Sequence, residues 1–214
     1  MKNYVNRIFC GFILTLTLFC WNSSQAFAQT DPAQLAKAVE AIENIDAMRS
    51  GLASTLKDSP QEPTIQTFKE VCQPVGMKIK QLSQENNWQV KQIAQKYRNP
   101  LHAPDNLHAQ MALAKFEREP ELMGFWDKET LNNQTGTRYY RRINVEASCL
   151  ACHGAKNTRP QFVKDKYPQD LAFDFRVGDL RGMYAAFIPD EVHEGLNSIQ
   201  PTPPHLQAAL QEAS

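Results

Sequence analysis

The feature that most constrains this chain is the run Cys149-Leu150-Ala151-Cys152-His153, which lies well into the second half of its 214 residues. Two cysteines at this spacing can reach the two vinyl groups of one haem, and the following histidine can then turn its imidazole onto the iron. A disulfide or a zinc site would use the same residues, but zinc needs further ligands, and only Cys72 and scattered histidines are available. We therefore expect one covalently attached haem c, for which the fold must leave room.

Residues 1–28 are predicted to form a secretory signal peptide. Two basic residues precede an apolar run from Ile8 to Trp21, which is short for a membrane span. Ala26 and Ala28 have the spacing of a signal-peptidase site, so we expect cleavage after Ala28. The mature chain would then have 214 − 28 = 186 residues. It would be exported to the periplasm or the thylakoid lumen, with no membrane anchor after cleavage.

Three cysteines remain in the mature chain, and an odd number argues against a simple disulfide framework in an oxidising compartment. The whole chain carries 23 basic and 23 acidic residues, and removal of Lys2 and Arg7 leaves a net charge of 21 − 23 = −2. The sequence contains no long block of like charge. Neither a nucleic acid nor an anionic membrane is therefore expected as a partner.

Three helices are predicted from apolar residues at helical spacing and from their capping residues. The first runs over about residues 32–57 after the N-cap Asp31, the second begins near Thr64, and the third opens at Pro104-Asp105. In the second helix Cys72 falls on the apolar face. Pro74 lacks a backbone N–H, so we expect a kink close to Cys72.

The second half of the chain predicts an antiparallel sheet, with Asn132-Asn133 as the turn of a hairpin. The predicted strands are Trp88–Tyr97, Leu122–Lys128, Arg138–Val145 and Met183–Ile188, the last of them buried. Helices followed by such a sheet make an α+β fold. We expect one domain over residues 29–190 and a peripheral tail over residues 191–214.

The sixth ligand of the iron decides what a haem here would do, and the residues leave several candidates open. They are Cys72, His102, His108, Met77, Met111, Met123, Met183, His193 and no ligand at all. Cys72 has the best case, because it is the one mature thiol outside the motif and lies beside the proline kink. The ordinary alternative is a buried cysteine that acts as a small hydrophobe. Met111 and Met183 are expected in the core, and His193 on the surface.

Arginines near the motif are candidates for binding a haem propionate. Arg141 and Arg142 precede the motif on a predicted strand and are the two we select, while Arg98 and Arg181 lie in turns. An arginine that is simply solvated on a strand face is an equally good interpretation of each.

Several short motifs follow one another along residues 32–190. They are Phe68-Lys69-Glu70-Val71-Cys72, Arg98-Asn99-Pro100, Ala103-Pro104-Asp105, the C-x-x-C-H-Gly run, Tyr167-Pro168-Gln169-Asp170 and Gly178-Asp179-Leu180-Arg181-Gly182. This series resembles a family of bacterial, often cyanobacterial, exported haem c proteins with a PAS-like sensor domain.

The resemblance implies a PAS-like antiparallel sheet with long N-terminal helices. It also implies that Cys72, as a thiolate, and His153 are the two axial iron ligands. Two positions depart from the family pattern. His102 stands where asparagine is usual, which leaves it as a rival ligand, and Asp174 stands where glycine is usual, which puts the local turn geometry in question.

Two functions fit these observations. The first is a redox or gas sensor that transmits through its N-terminal helices to an unidentified protein, with a homodimer through those helices as a further expectation. The alternative is a soluble low-potential electron-transfer cytochrome c. Ordinary small cytochromes carry the motif near the mature N-terminus, whereas 148 − 28 = 120 residues would precede it here. No pattern at readable spacing supports a haem enzyme, so we expect a protein that is not an enzyme.

Overall fold

The computed structural model describes residues 28–57, 59 and 61–192. The predicted signal peptide up to residue 27, the tail beyond residue 192 and the ligand candidate His193 lie outside the described residues. Within that part of the chain, no helix has the length and apolar character needed to cross a membrane.

The described chain contains six helices and six strands. The helices are α1 (Pro32–Ser54), α2 (Ile65–Val71), α3 (Gln73–Asn86), α4 (Leu107–Arg118), α5 (Leu150–His153) and α6 (Gln161–Lys166). The strands are β1 (Ala28–Gln29), β2 (Gln89–Ile93), β3 (Gly124–Leu131), β4 (Gln134–Asn144), β5 (Leu180–Pro189) and β6 (Glu191–Val192). Three 3-10 turns lie at Pro100–His102, Ala147–Cys149 and Lys156–Thr158. The α+β class is therefore as predicted.

Four strands form one antiparallel sheet in the order β2-β5-β4-β3, and β1 pairs separately with β6. The β3–β4 hairpin turns through Asn132 and Asn133, whose φ angles of 52° and 63° are both left-handed. Asparagine tolerates that conformation, and two successive left-handed residues are what a two-residue type I′ hairpin turn requires. The predicted hairpin is therefore confirmed.

Helices cover both faces of this sheet. On one face α1 and α3 contribute the apolar residues Ala38, Ile42, Ile45, Val75, Ile79 and Leu82 to a cluster with Tyr139, Tyr184 and Ile188. On the other face α4 packs Ala109, Ala112, Leu113 and Phe116 against Tyr140, Met183 and Ala185. Strand β5 is enclosed between the two layers, and all five residues from Met183 to Phe187 are fully buried, as predicted for this strand.

The helix starts show where local sequence decides the structure and where it does not. The Asp31 carboxylate accepts the Ala33 N–H at 2.9 Å, so the first helix begins as predicted, although it ends at Ser54. The third helix was predicted to open at Pro104-Asp105, which is wrong. Its N-cap is Asn106, because the carboxylate of Asp105 binds Arg138 across the sheet at 3.0 Å.

The predicted second helix is divided at Cys72. Helix α2 ends at Val71 and α3 begins at Gln73, with Pro74 in its first turn, where a missing N–H is tolerated. The predicted irregularity near Cys72 is thereby confirmed. Because Cys72 lies at the junction, it is exposed and does not share the buried apolar face on which we placed it.

The C-x-x-C-H motif lies at the end of the sheet where β4 ends and β5 begins. There the Val145 N–H donates to the Asp179 carbonyl at 2.9 Å. A third apolar cluster, of Val145, Ala172 and Phe175, packs beneath Cys149 and Leu150. The stretch after the motif includes the 3-10 turn Lys156–Thr158 and α6.

Candidate cofactor site

The C-x-x-C-H motif folds into a short helical turn. The 3-10 turn Ala147–Cys149 leads directly into α5, and the Gly154 N–H closes the turn on the Leu150 carbonyl at 2.9 Å. A Cβ atom at position 154 would lie 2.7 Å from that carbonyl oxygen, so the turn itself requires glycine there. Cys149 and Cys152 are both free and partly accessible.

The imidazole of His153 is held in one orientation by the backbone. Its Nδ1 atom lies 2.8 Å from the carbonyl oxygen of Ala172. The Arg98 Nη2 atom, a donor, also lies 3.3 Å from Nδ1, but the contact to the carbonyl is much shorter. Because a carbonyl can only accept, we assign the proton to Nδ1 and the free lone pair to Nε2. The Phe175 ring packs edge-on at 6.1 Å between centroids. This is the arrangement of a histidine that binds a metal through Nε2 while a second partner fixes its other nitrogen.

The surroundings also keep His153 neutral. Burial, followed by the charges of Arg181 and Arg98, holds the pKa of His153 well below its ordinary value. The hydrogen bond to Ala172 acts in the opposite direction but does not outweigh them. A neutral imidazole is the form that can coordinate a metal ion.

Asp170 joins the loops around the motif. Its carboxylate is fully buried and accepts the Arg98 Nε–H at 3.3 Å, the Ala172 N–H at 2.9 Å and the Arg159 guanidinium at 2.8 Å. Arg98 in turn donates to the carbonyl of Cys152 at 2.7 Å. These charge-assisted hydrogen bonds therefore hold the Ala172 carbonyl, which orients the histidine, in a fixed position relative to the backbone of the motif.

Cys72 lies at the junction of α2 and α3, within electrostatic range of this site. Burial raises the pKa of Cys72, the charges of Arg98 and Arg181 lower it, and a charge on Cys149 would raise it, so these groups lie within electrostatic range of one another. The thiol is nevertheless exposed to solvent. Burial by many nearby protein atoms and exposure to solvent are compatible when a side chain lies on the wall of an open concavity.

Gly76 leaves space one turn beyond Cys72. Residues four apart share a helix face, and a Cβ atom at position 76 would have no heavy atom within 4 Å. A flat ligand bound by Cys72 could therefore lie close to the α3 backbone.

The other candidates for a sixth ligand are sorted by their positions. His102 is half-buried, and burial followed by the charge of Arg181 lowers its pKa, so it also lies near the site and stays a rival. Met183 is fully buried in the core, as predicted. Met111 is 61% exposed on the outer side of α4, so its predicted core position is wrong.

The structure does not bring Arg141 and Arg142 to the motif. Arg141 is bound by both oxygens of Glu43, at 2.6 and 3.0 Å. Arg142 donates to the carbonyl of Phe116 at 2.6 Å and to the side chain of Asn144. The propionate role stays a prediction for both, and these contacts do not support it.

Arg181 is the better-placed cation. Its guanidinium donates to the Lys96 carbonyl at 3.1 Å and lies 5.5 Å from the Phe175 ring. Within the described part of the chain it forms no ion pair, and burial together with the charge of Arg98 lowers the pKa of Arg181 to about 10. It is still charged at neutral pH, so a ligand carboxylate would find an uncompensated cation here.

Glu146 connects the motif to the first helix. Its carboxylate accepts from Arg49 and from Ser50, each at 2.8 Å, and its own N–H donates to the sulfur of Cys149 at 3.4 Å. Burial would raise the pKa of Glu146, but the bonds from Ser50 and Arg49 lower it below its ordinary value. A displacement of the motif would therefore disturb the hydrogen bonds that Glu146 makes to α1.

Asp174 stands at a position where glycine was expected, and its backbone adopts the conformation that glycine would adopt there. Its φ angle is 55°, in the left-handed region that glycine normally occupies. The carboxylate accepts the Lys156 N–H at 2.9 Å, and the Asp174 N–H donates to Gly154 at 2.7 Å. Aspartate therefore preserves the turn and adds a side-chain bond to it.

Two adjoining clefts, of about 610 and 510 Å³, lie beside the motif. They share Lys156, Arg159 and Lys164, and neither is lined by Cys149, Cys152 or His153. The donor atoms that could hold a cofactor, the sulfurs of Cys149 and Cys152 and Nε2 of His153, therefore belong to residues outside the lining of both clefts. For that reason we place the cofactor site at these three residues and not in the clefts.

Some functional positions carry no chemical signal in the sequence. Ala172 acts through its backbone carbonyl, which any residue would supply. Asp170 stood in the Tyr-Pro-Gln-Asp motif without a role, and only the fold shows that it links Arg98 to Arg159.

Comparison with known proteins shows a family and a solved structure to which this chain is similar. The Tll0287-like family matches residues 27–189. The crystal structure of the cyanobacterial heme-protein Tll0287 is 53% identical in sequence and superposes with a TM-score of 0.68. The match covers 76% of this chain and 99% of that chain. Among curated proteins no match was found.

Proposed function

Because the chain belongs to the Tll0287-like family, we propose that it is an exported haem c protein with one covalently attached haem and His153/Cys72 axial ligation. We propose further that it acts as a redox or gas sensor module, with low-potential electron transfer as the alternative. The related structure is of a heme-protein and is 53% identical, which supports haem binding. The antiparallel sheet with its N-terminal helices supports a PAS-like fold.

The orientation of His153 is the main observation that supports this proposal. Its Nδ1–H is fixed on the Ala172 carbonyl at 2.8 Å, so Nε2 is the free donor. The two thiols of the motif are free, and Cys72 lies within electrostatic range of both. Imidazole and thiolate are both ordinary ligands of haem iron.

The remaining side chains of the site fit a haem as well. Arg181, with no ion pair in the described chain, would hold a propionate, and Arg98 would assist it. Gly76 leaves room for the porphyrin plane beside Cys72. A haem bound here would supply a one-electron ferric/ferrous couple, and an anionic Cys72 ligand would favour the ferric state.

The ligand assignment is tested by spectroscopy of the holoprotein and two variants. A pyridine haemochrome spectrum reports whether the haem is attached through thioether bonds. In the ferric state, Cys72→Ala should lose the low-spin EPR signature of a thiolate ligand, whereas His102→Ala should keep it. An unchanged ferric spectrum in Cys72→Ala would exclude Cys72, and a change in His102→Ala alone would make His102 the ligand.

The link from the motif to α1 favours sensing over simple electron transfer. Glu146 binds Arg49 and Ser50 of α1 and also contacts Cys149, so a movement of the motif would alter its hydrogen bonds to the N-terminal helix. A sensor needs such a two-state element, while an electron carrier works best when its structure hardly changes.

Hydrogen exchange measured by mass spectrometry distinguishes the two functions. A sensor should show different amide protection in α1 between the ferric and ferrous holoprotein, and Glu146→Gln should reduce that difference. Identical protection in both redox states would instead favour the electron carrier. The mass of the mature protein from its native host tests cleavage after Ala28, and fractionation separates periplasm from thylakoid lumen.

A further inference from the structure

A group of cations surrounds the ring of Phe173, the residue that follows Ala172, whose carbonyl contacts His153 Nδ1. Lys96, Lys156 and Arg159 have their charged groups 5.8, 5.1 and 4.7 Å from the ring centroid. Lys164 lines the same two clefts as Lys156 and Arg159. We call these four residues with Phe173 the basic surface.

The positive charge of the basic surface is only partly compensated. Asp170 is shared between Arg159 and Arg98, so one carboxylate serves two guanidinium groups. The Asp174 carboxylate is used by a backbone N–H, that of Lys156. No hydrogen bond or ion pair of the Lys164 ammonium is found within the described residues.

The sequence after the motif reinforces this imbalance. Residues 154–166 carry four basic residues and one acidic residue, a net charge of +3. The rest of the chain carries 23 − 4 = 19 basic and 23 − 1 = 22 acidic residues, a net charge of −3. The chain as a whole is neutral, so positive charge is concentrated in the segment after the motif and the excess negative charge lies elsewhere.

We propose that the basic surface is the docking site for the acidic face of a one-electron redox partner protein. This inference rests on the proposed function, because sensing redox state and carrying electrons both require electron exchange with another molecule. Lys156 lies three residues after His153, and the Lys96 ammonium lies 4.1 Å from the centroid of the Phe175 ring, which itself packs on His153. A partner attracted to this surface would therefore arrive next to the redox centre.

An acidic protein fits the surface better than a small anion. The two clefts share three cationic side chains and form one continuous surface, which is larger than a single phosphate or carboxylate needs. Complementary charge of this kind raises association rates by roughly 10- to 1000-fold and weakens with salt.

The test uses the ferric holoprotein and a reduced acidic [2Fe–2S] ferredoxin of plant type, in stopped-flow mixing. The ferredoxin gives up one electron, and the ferric haem takes it and becomes ferrous. The wild-type rate constant should fall as ionic strength rises. Lys164→Glu and Lys156→Glu should each slow the reaction by roughly threefold to tenfold at low salt.

Lys37→Glu is the matched control, since Lys37 is also exposed and lies on α1 near the opposite end of the sheet, beside Trp88. It should retain the wild-type rate. If Lys156→Glu disturbs the turn at Asp174, the result for Lys164→Glu decides the test. A rate independent of salt, or equal slowing by Lys37→Glu and Lys164→Glu, would overturn the docking site.

Two further measurements keep the alternatives apart. The haemochrome spectrum is recorded for every variant, so a missing haem in the wild type would count against the proposed function and not against the surface. Co-sedimentation with vesicles containing phosphatidylglycerol tests a membrane as the occupant. Binding that Lys164→Glu abolishes, together with a salt-independent electron-transfer rate, would replace the protein partner with a lipid surface.

Discussion

At the scale of single residues, the site depends on the backbone being held in place by side chains that never touch the ligand. His153 is oriented by the carbonyl of Ala172, and that carbonyl is held because Asp170 accepts the Ala172 N–H at 2.9 Å. Asp170 thus acts as a positioning residue for the imidazole. The chemistry of the site is therefore sensitive to a buried carboxylate outside the C-x-x-C-H motif.

Asp170→Asn should destabilise the protein by about 3 kcal/mol, because the change leaves two arginines beside a neutral amide in a buried position. Urea unfolding of the holoprotein at neutral pH measures the loss. Asp165→Asn is the control, since Asp165 is exposed and, among the residues that the structure describes, its side chain accepts only from the Gln161 side chain, at 2.8 Å. A positioning role also requires the haem absorption spectrum of Asp170→Asn to shift, and an unaltered spectrum with lost stability would reduce Asp170 to a purely structural residue.

Asp174 should prefer replacements that tolerate its left-handed φ of 55°. Asp174→Asn keeps both the conformation and a side-chain acceptor, so its free energy of unfolding should stay within about 0.5 kcal/mol of the wild type. Asp174→Ala should lose about 1–2 kcal/mol, because alanine is strained in that region and cannot accept the Lys156 N–H. Asp174→Gly should fall between the two. Equal stability of the alanine and asparagine variants in urea would contradict this account.

At the scale of secondary-structure elements, the break between α2 and α3 positions the thiol. The ring of Pro74 cannot donate to the Glu70 carbonyl, and the chain departs from a continuous helix at Cys72. The junction turns Cys72 out of the buried face that Val75 and Ile79 occupy and leaves its side chain exposed.

Pro74→Ala should restore the missing donor and favour one continuous helix over α2 and α3. The apoprotein would gain helical stability, since proline costs about 3 kcal/mol inside a helix but much less in its first turn. The Cys72 sulfur would move away from the site, so the ferric holoprotein should lose part of its thiolate EPR signal. Gln73→Ala is the control, because it changes a neighbouring exposed residue without adding a donor. A full thiolate signal in Pro74→Ala would show that the break is not needed for ligation.

Local sequence signals predicted these elements only where neighbouring residues alone decide the structure. The cap at Asp31 and the Asn132-Asn133 turn were predicted because their partners are a few residues away. The start of α4 was not, since Asp105 and Asn106 are both good caps and Arg138, 33 residues further on, takes the first of them. The C-x-x-C-H motif likewise identifies its own residues, but the alanine whose carbonyl orients His153 has no recognisable pattern.

At the scale of the whole molecule, three carboxylates join segments that are far apart in sequence. Asp105 binds Arg138 in the sheet, Glu146 binds α1, and Asp190 accepts from Thr30 at 2.6 Å and from Lys128. For each of them burial would raise the pKa, but the hydrogen bonds and cations outweigh it and hold the pKa below its ordinary value. The charged forms of these groups therefore stabilise the folded state.

Acid should consequently unfold the holoprotein by releasing these links. A carboxyl group whose pKa is lower in the folded than in the unfolded state contributes its full stability above the unfolded pKa, about 4 for aspartate and glutamate. That contribution is lost as the pH falls from there through the folded pKa. The free energy of unfolding, measured in urea by tryptophan fluorescence, should therefore decline steeply below about pH 4, through the loss of these three links.

Asp105→Asn separates one of these links from the rest. The variant should be about 2 kcal/mol less stable than the wild type at pH 7, because Arg138 loses a charged partner in a buried position. It should lose less on acidification, since the group that would have been protonated is already neutral, so the two stability curves should converge near pH 3. Asp165→Asn should run parallel to the wild type throughout. A constant gap between Asp105→Asn and the wild type from pH 7 to pH 3 would mean that the Asp105–Arg138 pair acts by shape and hydrogen bonding, with no contribution from its charge.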